Sequence, residues 1–478
     1  MTNYQTQFKM WVNEEKIAVN ILKSVGKLMY EKGVELVFFR KHLIDINVLQ
    51  LMSLFHYARN VIEKEVSIND VENVVNEICL MDLAPAKLDI ALLTSEYSDS
   101  KSNNLSEFLN EKLANFIGED NHDLVAKDIV LYGFGRIGRL VARELIRQAG
   151  KGQQLRLKAI VTRKVNKDQI EKRASLFKND SVHGKFNGIV DIDYNNNYLI
   201  INGQSVKMIP ANNPEEINYT DYGINNALLI DNTGIFNDAK SLSKHLLSKG
   251  ISKVLLTAPA KEIPNIVYGI NNFDLDIIND NIFSAASCTT NAISPILKVI
   301  NDNYNIMSGH IETIHAYTND QNLLDNMHKK SRRGRSAAIN MVITTTGAGN
   351  AVTKVIPSLK NKLTANAVRV PTPNGSLAIM KLKIKSKTSV EQLNSLVKYH
   401  SLNGKLTNQI DYQIEDDLVS NDIIGNTCCS VFDSKATIVS NEGTNIVLYT
   451  WYDNEFGYTK QVIRLAKQIA QVRRYTYY

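Results

Sequence analysis

The sequence predicts an α/β protein in three parts: a helical N-terminal region, a doubly wound parallel sheet, and an α+β region with a mainly antiparallel sheet. Three observations carry this prediction. Apolar residues recur at helical spacing before residue 127. Short apolar strands then alternate with helical segments, as in parallel sheets. After residue 288, longer strands alternate in polarity, at residues 311–317, 376–384 and 445–451, which is typical of antiparallel sheets.

The bulk composition places limits on the class of protein. A chain of 478 residues corresponds to two to four domains, and its net charge of +6 suits small anionic substrates. No apolar run reaches the roughly 18 residues of a membrane span, and residues 1–16 do not resemble a secretory signal. Four cysteines are too few for a disulfide scaffold. We therefore expect a cytoplasmic protein that does not contact membranes.

Residues 1–126 are predicted to form an all-α region. Ile17, Ile21 and Val25 recur at helical spacing, and residues 36–61 are rich in Leu, Ile, Phe and Met and contain neither glycine nor proline. Ser67 is typical of a helix N-cap, and a polar linker at residues 98–104 precedes a last short helix.

A glycine-rich fingerprint follows the first strand of the next part. Gly133, Gly135 and Gly138 stand between a strand at residues 128–132 and a helix at residues 139–148. The first glycine permits a tight turn, the second lets the backbone approach a pyrophosphate, and the third lets helix and strand pack closely. This context favours a dinucleotide-binding domain of Rossmann type, although an ordinary strand–turn–helix has the same outline.

The acidic residue that usually follows the second strand of such a domain is missing. The strand ends in Ile160-Val161-Thr162 and continues into Arg163 and Lys164. A basic residue here can accommodate the 2′-phosphate of NADP. The alternative is that Arg163 is a solvated loop residue, so the cofactor is expected to be NAD or NADP.

Cys288 and His315 are the candidate catalytic pair. Cys288 precedes an apolar helix at residues 293–300, and a helix N-terminus favours the nucleophilic thiolate. His315 follows on a predicted neighbouring strand and is a candidate base. Together with a dinucleotide site, the pair indicates oxidation of an aldehyde through a thioester.

From Lys127 onward the chain resembles phosphorylating glyceraldehyde-3-phosphate dehydrogenases. The resemblance spans many ordered motifs. They are Gly133-Phe134-Gly135-Arg136-Ile137-Gly138-Arg139, Asp180-Ser181-Val182-His183-Gly184, Asp231-Asn232-Thr233-Gly234, Ser287-Cys288-Thr289-Thr290-Asn291, His315-Ala316-Tyr317-Thr318, Thr344-Thr345-Thr346-Gly347-Ala348, Arg369-Val370-Pro371 and Trp451-Tyr452-Asp453-Asn454-Glu455.

The resemblance implies a mechanism and site residues. Cys288 attacks the aldehyde, His315 takes the hydroxyl proton, and inorganic phosphate cleaves the thioester. Thr318 and Arg369 match the site for the substrate phosphate. The implied site for inorganic phosphate comprises Ser287, Thr289, Arg333, Thr346 and Gly347. The implied cofactor residues are Gly133, Phe134, Gly135, Arg136, Ile137, Gly138, Arg163, Thr233, Gly234, Thr257, Asn454 and Tyr458. No metal site is expected.

The resemblance also implies a domain plan and partners. We expect a nucleotide-binding domain at residues 127–287, completed by a helix at 454–478, and a catalytic domain at 288–453. The partners would be glyceraldehyde 3-phosphate, inorganic phosphate and other subunits of a homotetramer. The basic run at residues 328–335 is expected to serve phosphate binding and subunit contacts, so nucleic acid is not expected as a primary partner.

Alternatives to this interpretation stay open. Residues 319–321, Asn-Asp-Gln, resemble erythrose-4-phosphate dehydrogenase, which releases a free acid by hydrolysis. A non-catalytic scaffold on the same fold is a second alternative, although the retained Cys288, His315 and Arg369 argue against it. Residues 1–126 precede the usual family start, as either a packing appendage or a regulatory or docking module.

Overall fold

The computed structural model describes residues 3–118, 125–147, 150–344 and 346–478. The chain divides into two compact units. The first comprises Met1–Ala126, Gln148–Gln154 and Val472–Tyr478, and the second comprises Lys127–Arg147 and Leu155–Gln471. Within the described ranges, no helix is both long and apolar enough to cross a membrane.

The N-terminal region is largely helical, as the apolar spacing predicts. Its helices are α1 (Asn3–Lys27), α2 (Val48–Tyr57), α3 (Ile68–Leu80), α4 (Ile90–Asp99) and α5 (Leu105–Lys112). Asn47 and Gln50 exchange two 2.9 Å hydrogen bonds as a capping box at the start of α2. The predicted stripe Ile17, Ile21 and Val25 is the buried face of α1.

Short strands also occur in this region, so the expectation of an all-α region is wrong in this respect. They are β1 (Glu35–Phe38), β2 (Lys41–His42) and β3 (Ala86–Asp89). β1 pairs with β2 in antiparallel and with β3 in parallel orientation. No sequence pattern predicted them, because strands of two to four residues are too short to show a period that distinguishes a strand from a helix.

The first sheet of the second unit contains the predicted parallel strands. Its strands are β4 (Lys127–Tyr132), β5 (Leu155–Thr162), β6 (Val190–Asp193), β7 (Tyr198–Ile201), β8 (Gln204–Pro210), β9 (Ala227–Asp231), β10 (Ile251–Leu256) and β11 (Ile282–Ser284). The sheet order is β11-β10-β9-β4-β5-β8-β7-β6, and pairing is antiparallel at β6–β7 and β7–β8 and parallel elsewhere. Helices α6 (Arg136–Arg147), α7 (Lys167–Lys178) and α8 (Ala239–Ser243) connect these strands. The doubly wound prediction is confirmed.

The second sheet of this unit is mainly antiparallel, also as predicted. It follows α9 (Cys288–Tyr304) and contains β12 (Ile306–Ala316), β13 (Val342–Thr344), β14 (Leu363–Val370), β15 (Ser376–Ile384), β16 (Ile410–Gln413), β17 (Ser430–Asp433), β18 (Ile438–Val439) and β19 (Asn445–Tyr452). The order is β13-β14-β12-β15-β19-β17-β16, with β18 on β19. β12–β14 and β16–β17 are its parallel pairs among the described strands. Helices α10 (Ala348–Val355) and α11 (Val390–Leu402) accompany the sheet.

The C-terminal segment divides between the two units. Helix α12 (Phe456–Ile469) belongs to the second unit, whereas strand β20 (Tyr475–Tyr477) belongs to the first. β20 pairs in parallel with β3, which gives the order β2-β1-β3-β20. The expected helix at residues 454–478 therefore ends early, and its last residues are a strand.

Arg474 fixes this C-terminal strand within the first unit. Its buried guanidinium donates to Gly152 O at 2.9 Å and lies 3.2 Å from Glu35 Oε2. Glu35 Oε1 also lies 2.8 Å from His42 and 3.3 Å from Lys87. Burial alone would raise the pKa of Glu35, but Lys87, His42 and Arg474 hold it well below its usual range.

We predict that Arg474→Met lowers the free energy of unfolding by about 2–3 kcal/mol, because a buried carboxylate loses one of its cations and a carbonyl loses its donor. Urea denaturation would measure the loss. Arg59→Met is the control, since this exposed side chain lies 3.6 Å from the exposed Glu65, and a change below about 0.5 kcal/mol is expected for such a surface pair. Equal losses in both variants would contradict the prediction.

Candidate active site

Cys288 is the first residue of α9 and so lies at the helix N-terminus. Ser287 is the N-cap, and its hydroxyl accepts a 3.0 Å hydrogen bond from Thr290 N. Ala286 adopts a φ of 57°, unusual for a residue with a side chain. The Tyr458 hydroxyl donates to Ala286 O at 2.9 Å, so α12 supports this turn. The half-buried Cys288 side chain lies just beyond it.

His315 faces the sulfur of Cys288. The distance from Cys288 Sγ to His315 Nε2 is 3.7 Å, which permits a hydrogen bond to sulfur. His315 lies near the end of β12 and is buried, and its Nδ1 is 2.7 Å from Ala316 O. A neutral ring that donates from Nδ1 to this carbonyl presents the Nε2 lone pair to the thiol. The predicted pair is therefore in reach for proton transfer.

Arg369 lies beside His315 because of strand register. β12 and β14 pair in parallel with His315 opposite Arg369. Arg369 Nη1 lies 2.9 Å from both His315 Nδ1 and Ala316 O. The Ala316 carbonyl is therefore within hydrogen-bonding distance of both the guanidinium and the imidazole ring. The same nitrogen is 3.5 Å from Thr318 Oγ1. Arg369 and Thr318, which were predicted to share an anion site, are thus adjacent.

Burial and the charge of Arg369 set the protonation states of this pair. Burial, followed by the repulsion of Arg369, lowers the pKa of His315 to about 3. Burial also raises the pKa of the Cys288 thiol, and Arg369 and hydrogen bonds from Thr289 offset this only in part. The backbone N–H groups of Cys288 and Thr289 at the helix terminus lower this pKa, which is the expected direction, but burial outweighs them. The resting pair is a thiol beside a neutral imidazole.

Tyr452 is a neighbour of this site that the sequence analysis did not single out. Its hydroxyl lies 3.0 Å from Thr289 Oγ1, and its ring meets the His315 ring edge-on with centroids 6.0 Å apart. The end of β19 is therefore part of the wall around Cys288. Tyr452 belongs to the Trp451–Glu455 motif, but the motif alone contains no signal for a contact with Thr289.

Arg333 occupies a second cationic position. Its Nε and Nη2 donate to Thr344 Oγ1 at 3.1 Å, and its Nη1 pairs with the carboxylate of Asp320. Asp320 was not among the residues predicted for an anion site. Arg369 is close enough to lower the pKa of Arg333, after burial. The two predicted anion-site arginines are thus electrostatic neighbours.

Thr346 and Gly347 lie at the N-terminus of α10. Gly347 is the N-cap residue, and Thr346 Oγ1 accepts from Ala348 N at 3.1 Å. In the described part of the chain, no hydrogen bond joins either residue to Cys288. Thr345 of the same predicted motif lies outside the described residues.

The glycine fingerprint has the backbone geometry that a pyrophosphate site needs. Gly133 has a φ of 92°, and a Cβ there would lie 2.9 Å from Thr233 Cγ2. A Cβ on Gly138 would lie 2.5 Å from Gly133 O, whereas the space beside Gly135 is open. Helix α6 begins at Arg136, so its free N–H groups face this turn.

Side chains around the fingerprint contact α7 and the N-terminus of α12. Arg136 donates to both oxygens of Glu455 at 2.5 Å, so it is bound within the protein rather than presented as a free cation. The Phe134 ring stacks on Phe177 at 6.0 Å, and Ile137 is half-buried on α6. These contacts stabilise the turn.

The remaining predicted cofactor residues lie near the ends of β9, β10 and β19. Thr233 donates from N and Oγ1 to Asp231 Oδ1 at 2.7 Å, and Gly234 follows with a φ of 67°. Thr257 Oγ1 donates to Asp231 O at 3.0 Å. Asn454 Oδ1 accepts from Ser376 at 2.8 Å, which leaves its amide nitrogen to donate.

Arg163 is exposed one residue beyond β5. Gly133 N donates to Val161 O at 3.0 Å, so Arg163 follows the same edge of the sheet as the fingerprint turn. The donors, the positive φ and the open helix terminus fit a dinucleotide with Gly133, Gly135 and the α6 N-terminus at its pyrophosphate.

The fold and the fingerprint define a dinucleotide-binding protein, and comparisons with known proteins place it among the nicotinamide-dependent oxidoreductases. The glyceraldehyde 3-phosphate dehydrogenase NAD binding domain matches residues 127–239, and the C-terminal domain of the same family matches residues 287–454. The chain belongs to the glyceraldehyde-3-phosphate dehydrogenase family.

Some similar proteins match about three quarters of this chain, and one matches nearly all of it. Glyceraldehyde-3-phosphate dehydrogenase 2 of Nostoc is 40% identical over 72% of this chain and 98% of its own length. Glyceraldehyde-3-phosphate dehydrogenase 1 of Bacillus subtilis is 37% identical over 73% and 99%. A glyceraldehyde-3-phosphate dehydrogenase-like protein of Pseudomonas aeruginosa is 45% identical over 94% and 98%. The N-terminal region is therefore shared with this last protein.

We predict that acid destabilises the protein partly through His315. Its pKa is near 3 when folded against 6.5 when exposed, so below pH 6.5 the unfolded chain binds a proton that the native protein does not. The stability that this neutral ring contributes is lost as the pH falls from about 6.5 towards 3. At pH 4.5 the loss relative to pH 7 would be about 2–3 kcal/mol.

The change would be absent in His315→Asn, and urea denaturation at the two pH values would measure it. His310→Asn is the matched control, because His310 lies on the same strand with an exposed side chain. Equal acid sensitivity of the wild type and His315→Asn would refute the assignment.

Proposed function

We propose that the protein is a phosphorylating glyceraldehyde-3-phosphate dehydrogenase, which converts glyceraldehyde 3-phosphate and phosphate to 1,3-bisphosphoglycerate with NAD or NADP. The observation that carries the proposal is the 3.7 Å approach of Cys288 Sγ to a neutral His315 beside Arg369. The reaction is reversible and would serve glycolysis or gluconeogenesis.

Cys288 and His315 supply the covalent chemistry. As Sγ attacks the aldehyde carbon, the thiol proton moves to His315 Nε2, whose neutral state makes it a base, and then to the aldehyde oxygen, which becomes the hydroxyl of the hemithioacetal. The same nitrogen removes the hydroxyl proton when the hemithioacetal is oxidised. A bound nicotinamide cofactor supplies the hydride acceptor. The α9 N-terminus, with the Cys288 N–H, stabilises the oxyanion of each tetrahedral species.

Two arginines would bind the two phosphate groups. Arg369 and Thr318 are adjacent, and we assign them to the C3 phosphate of the substrate. We assign inorganic phosphate to Arg333, with the hydroxyls of Ser287, Thr289 and Thr346 and the backbone of Gly347 as further donors. Guanidinium and hydroxyl groups match phosphate oxygens in geometry and charge.

Self-association is part of the proposal. The segment between β12 and β14 exposes large apolar side chains to solvent, which is typical of a surface that a partner covers. They are Leu323, Leu324, Met327, Ile339 and Met341. A homotetramer of this chain would bury them, as the family resemblance implies.

Cofactor choice is predicted to depend on Arg163. If Arg163 accommodates a 2′-phosphate, the wild type uses NADP at least as well as NAD, and Arg163→Glu lowers kcat/KM for NADP about tenfold more than for NAD. Lys172→Glu carries the same charge change on an exposed face of α7 and serves as control. A wild type that strongly favours NAD would contradict the prediction.

Phosphate dependence is the decisive test of the reaction. Initial rates with glyceraldehyde 3-phosphate should require inorganic phosphate and fall more than about 10³-fold in Cys288→Ser, because the serine hydroxyl is not ionised by a neutral imidazole so readily. Cys79→Ser should remain active, since Cys79 lies in α3 of the other unit.

The other outcomes separate the alternatives. Turnover without phosphate would assign the protein to hydrolytic aldehyde oxidation, as in erythrose-4-phosphate dehydrogenase. Absence of turnover with either cofactor would indicate a binding protein on this fold.

A further inference from the structure

The carboxylate of Asp320 forms an ion pair with the guanidinium of Arg333, to which we assign inorganic phosphate. The Arg333 side chain is 11% exposed, whereas that of Asp320 is 52% exposed, so a buried cation is neutralised by a carboxylate from the solvent side. The second Asp320 oxygen lies 3.7 Å from His328 Nε2. Arg333 keeps its orientation independently of this pair, because Nε and Nη2 both donate to Thr344 Oγ1.

The other anion-site arginine has neutral partners. Arg369 contacts a ring nitrogen of His315, the carbonyl of Ala316 and the hydroxyl of Thr318. The positive charge of Arg369 is therefore available to an anion, whereas an anion that binds Arg333 must compete with the Asp320 carboxylate. Like charges within a few ångströms oppose each other, most strongly where water is scarce.

We propose that Asp320 competes with inorganic phosphate for Arg333 and thereby sets the phosphate affinity of this site. The inference rests on the proposed function and adds a specificity-determining residue to it. Phosphate displaces the Asp320 carboxylate from Nη1 of Arg333, and the Asp320 side chain moves towards solvent. The carboxylate returns after the acyl phosphate forms, which favours release of that product.

Removal of the carboxylate charge should strengthen phosphate binding. In Asp320→Asn, the dissociation constant of inorganic phosphate should fall about threefold to tenfold, since a half-exposed charge is partly screened. Asp320→Glu keeps the charge and should bind phosphate as the wild type does. Isothermal titration of the full chain with inorganic phosphate at constant ionic strength measures this without turnover.

Asp325→Asn provides the matched control. Asp325 lies in the same segment, is 56% exposed and pairs with Arg335 at 2.9 Å, so the charge change is equal but away from Arg333. Its phosphate affinity should be unchanged. In steady-state kinetics, Asp320→Asn should lower the KM for phosphate and leave the KM for the aldehyde unchanged.

Other results would overturn the proposal in distinguishable ways. Unchanged or weaker phosphate binding in Asp320→Asn, or equal tightening in Asp325→Asn, would exclude competition by Asp320 while leaving the phosphorylating reaction intact. Failure of the wild type and all variants to bind phosphate, together with phosphate-independent turnover, would overturn both this proposal and the proposed function.

Discussion

The parallel pairing of β12 with β14 is the constraint on which the candidate site depends. This register puts His315 opposite Arg369 and lets both groups converge on the carbonyl of Ala316. A slip of one residue would turn each side chain to the opposite face of the sheet. The register of these hydrogen-bonded strands therefore positions His315 on β12 within reach of the Cys288 sulfur on α9.

Within this frame, burial controls the chemistry more than the helix terminus does. The helix N-terminus and Arg369 both favour a negative sulfur, yet the net effect of burial is to raise the pKa of Cys288 and to lower that of His315. A neutral pair avoids two buried charges at rest. The charge then develops during attack, where Arg369 and the α9 N-terminus already point at it.

Sequence patterns were sufficient for the elements whose signal is local. The glycine fingerprint needs only its own strand and helix, and Cys288 needs only the helix that follows it, so both could be placed from spacing. The contacts of Tyr452 with Thr289 and of Asp320 with Arg333 could not be predicted in this way. The first joins the end of β19 to α9, and the second lies within the segment between β12 and β13, whose path no local pattern specifies. The strands β1 and β3 were missed for a different reason: four residues are too few to show the period that distinguishes a strand from a helix.

The strand β20 has a consequence for the order in which the protein forms. Its partner β3 lies nearly 400 residues earlier in the sequence, since Ala86 pairs with Tyr475, and β20 covers the edge of β3 that β1 leaves open. Domains commonly fold from the N-terminus while synthesis continues. The sheet of the first unit therefore depends on residues that follow the whole second unit in the sequence, and without β20 the edge of β3 would be open to pairing with another chain.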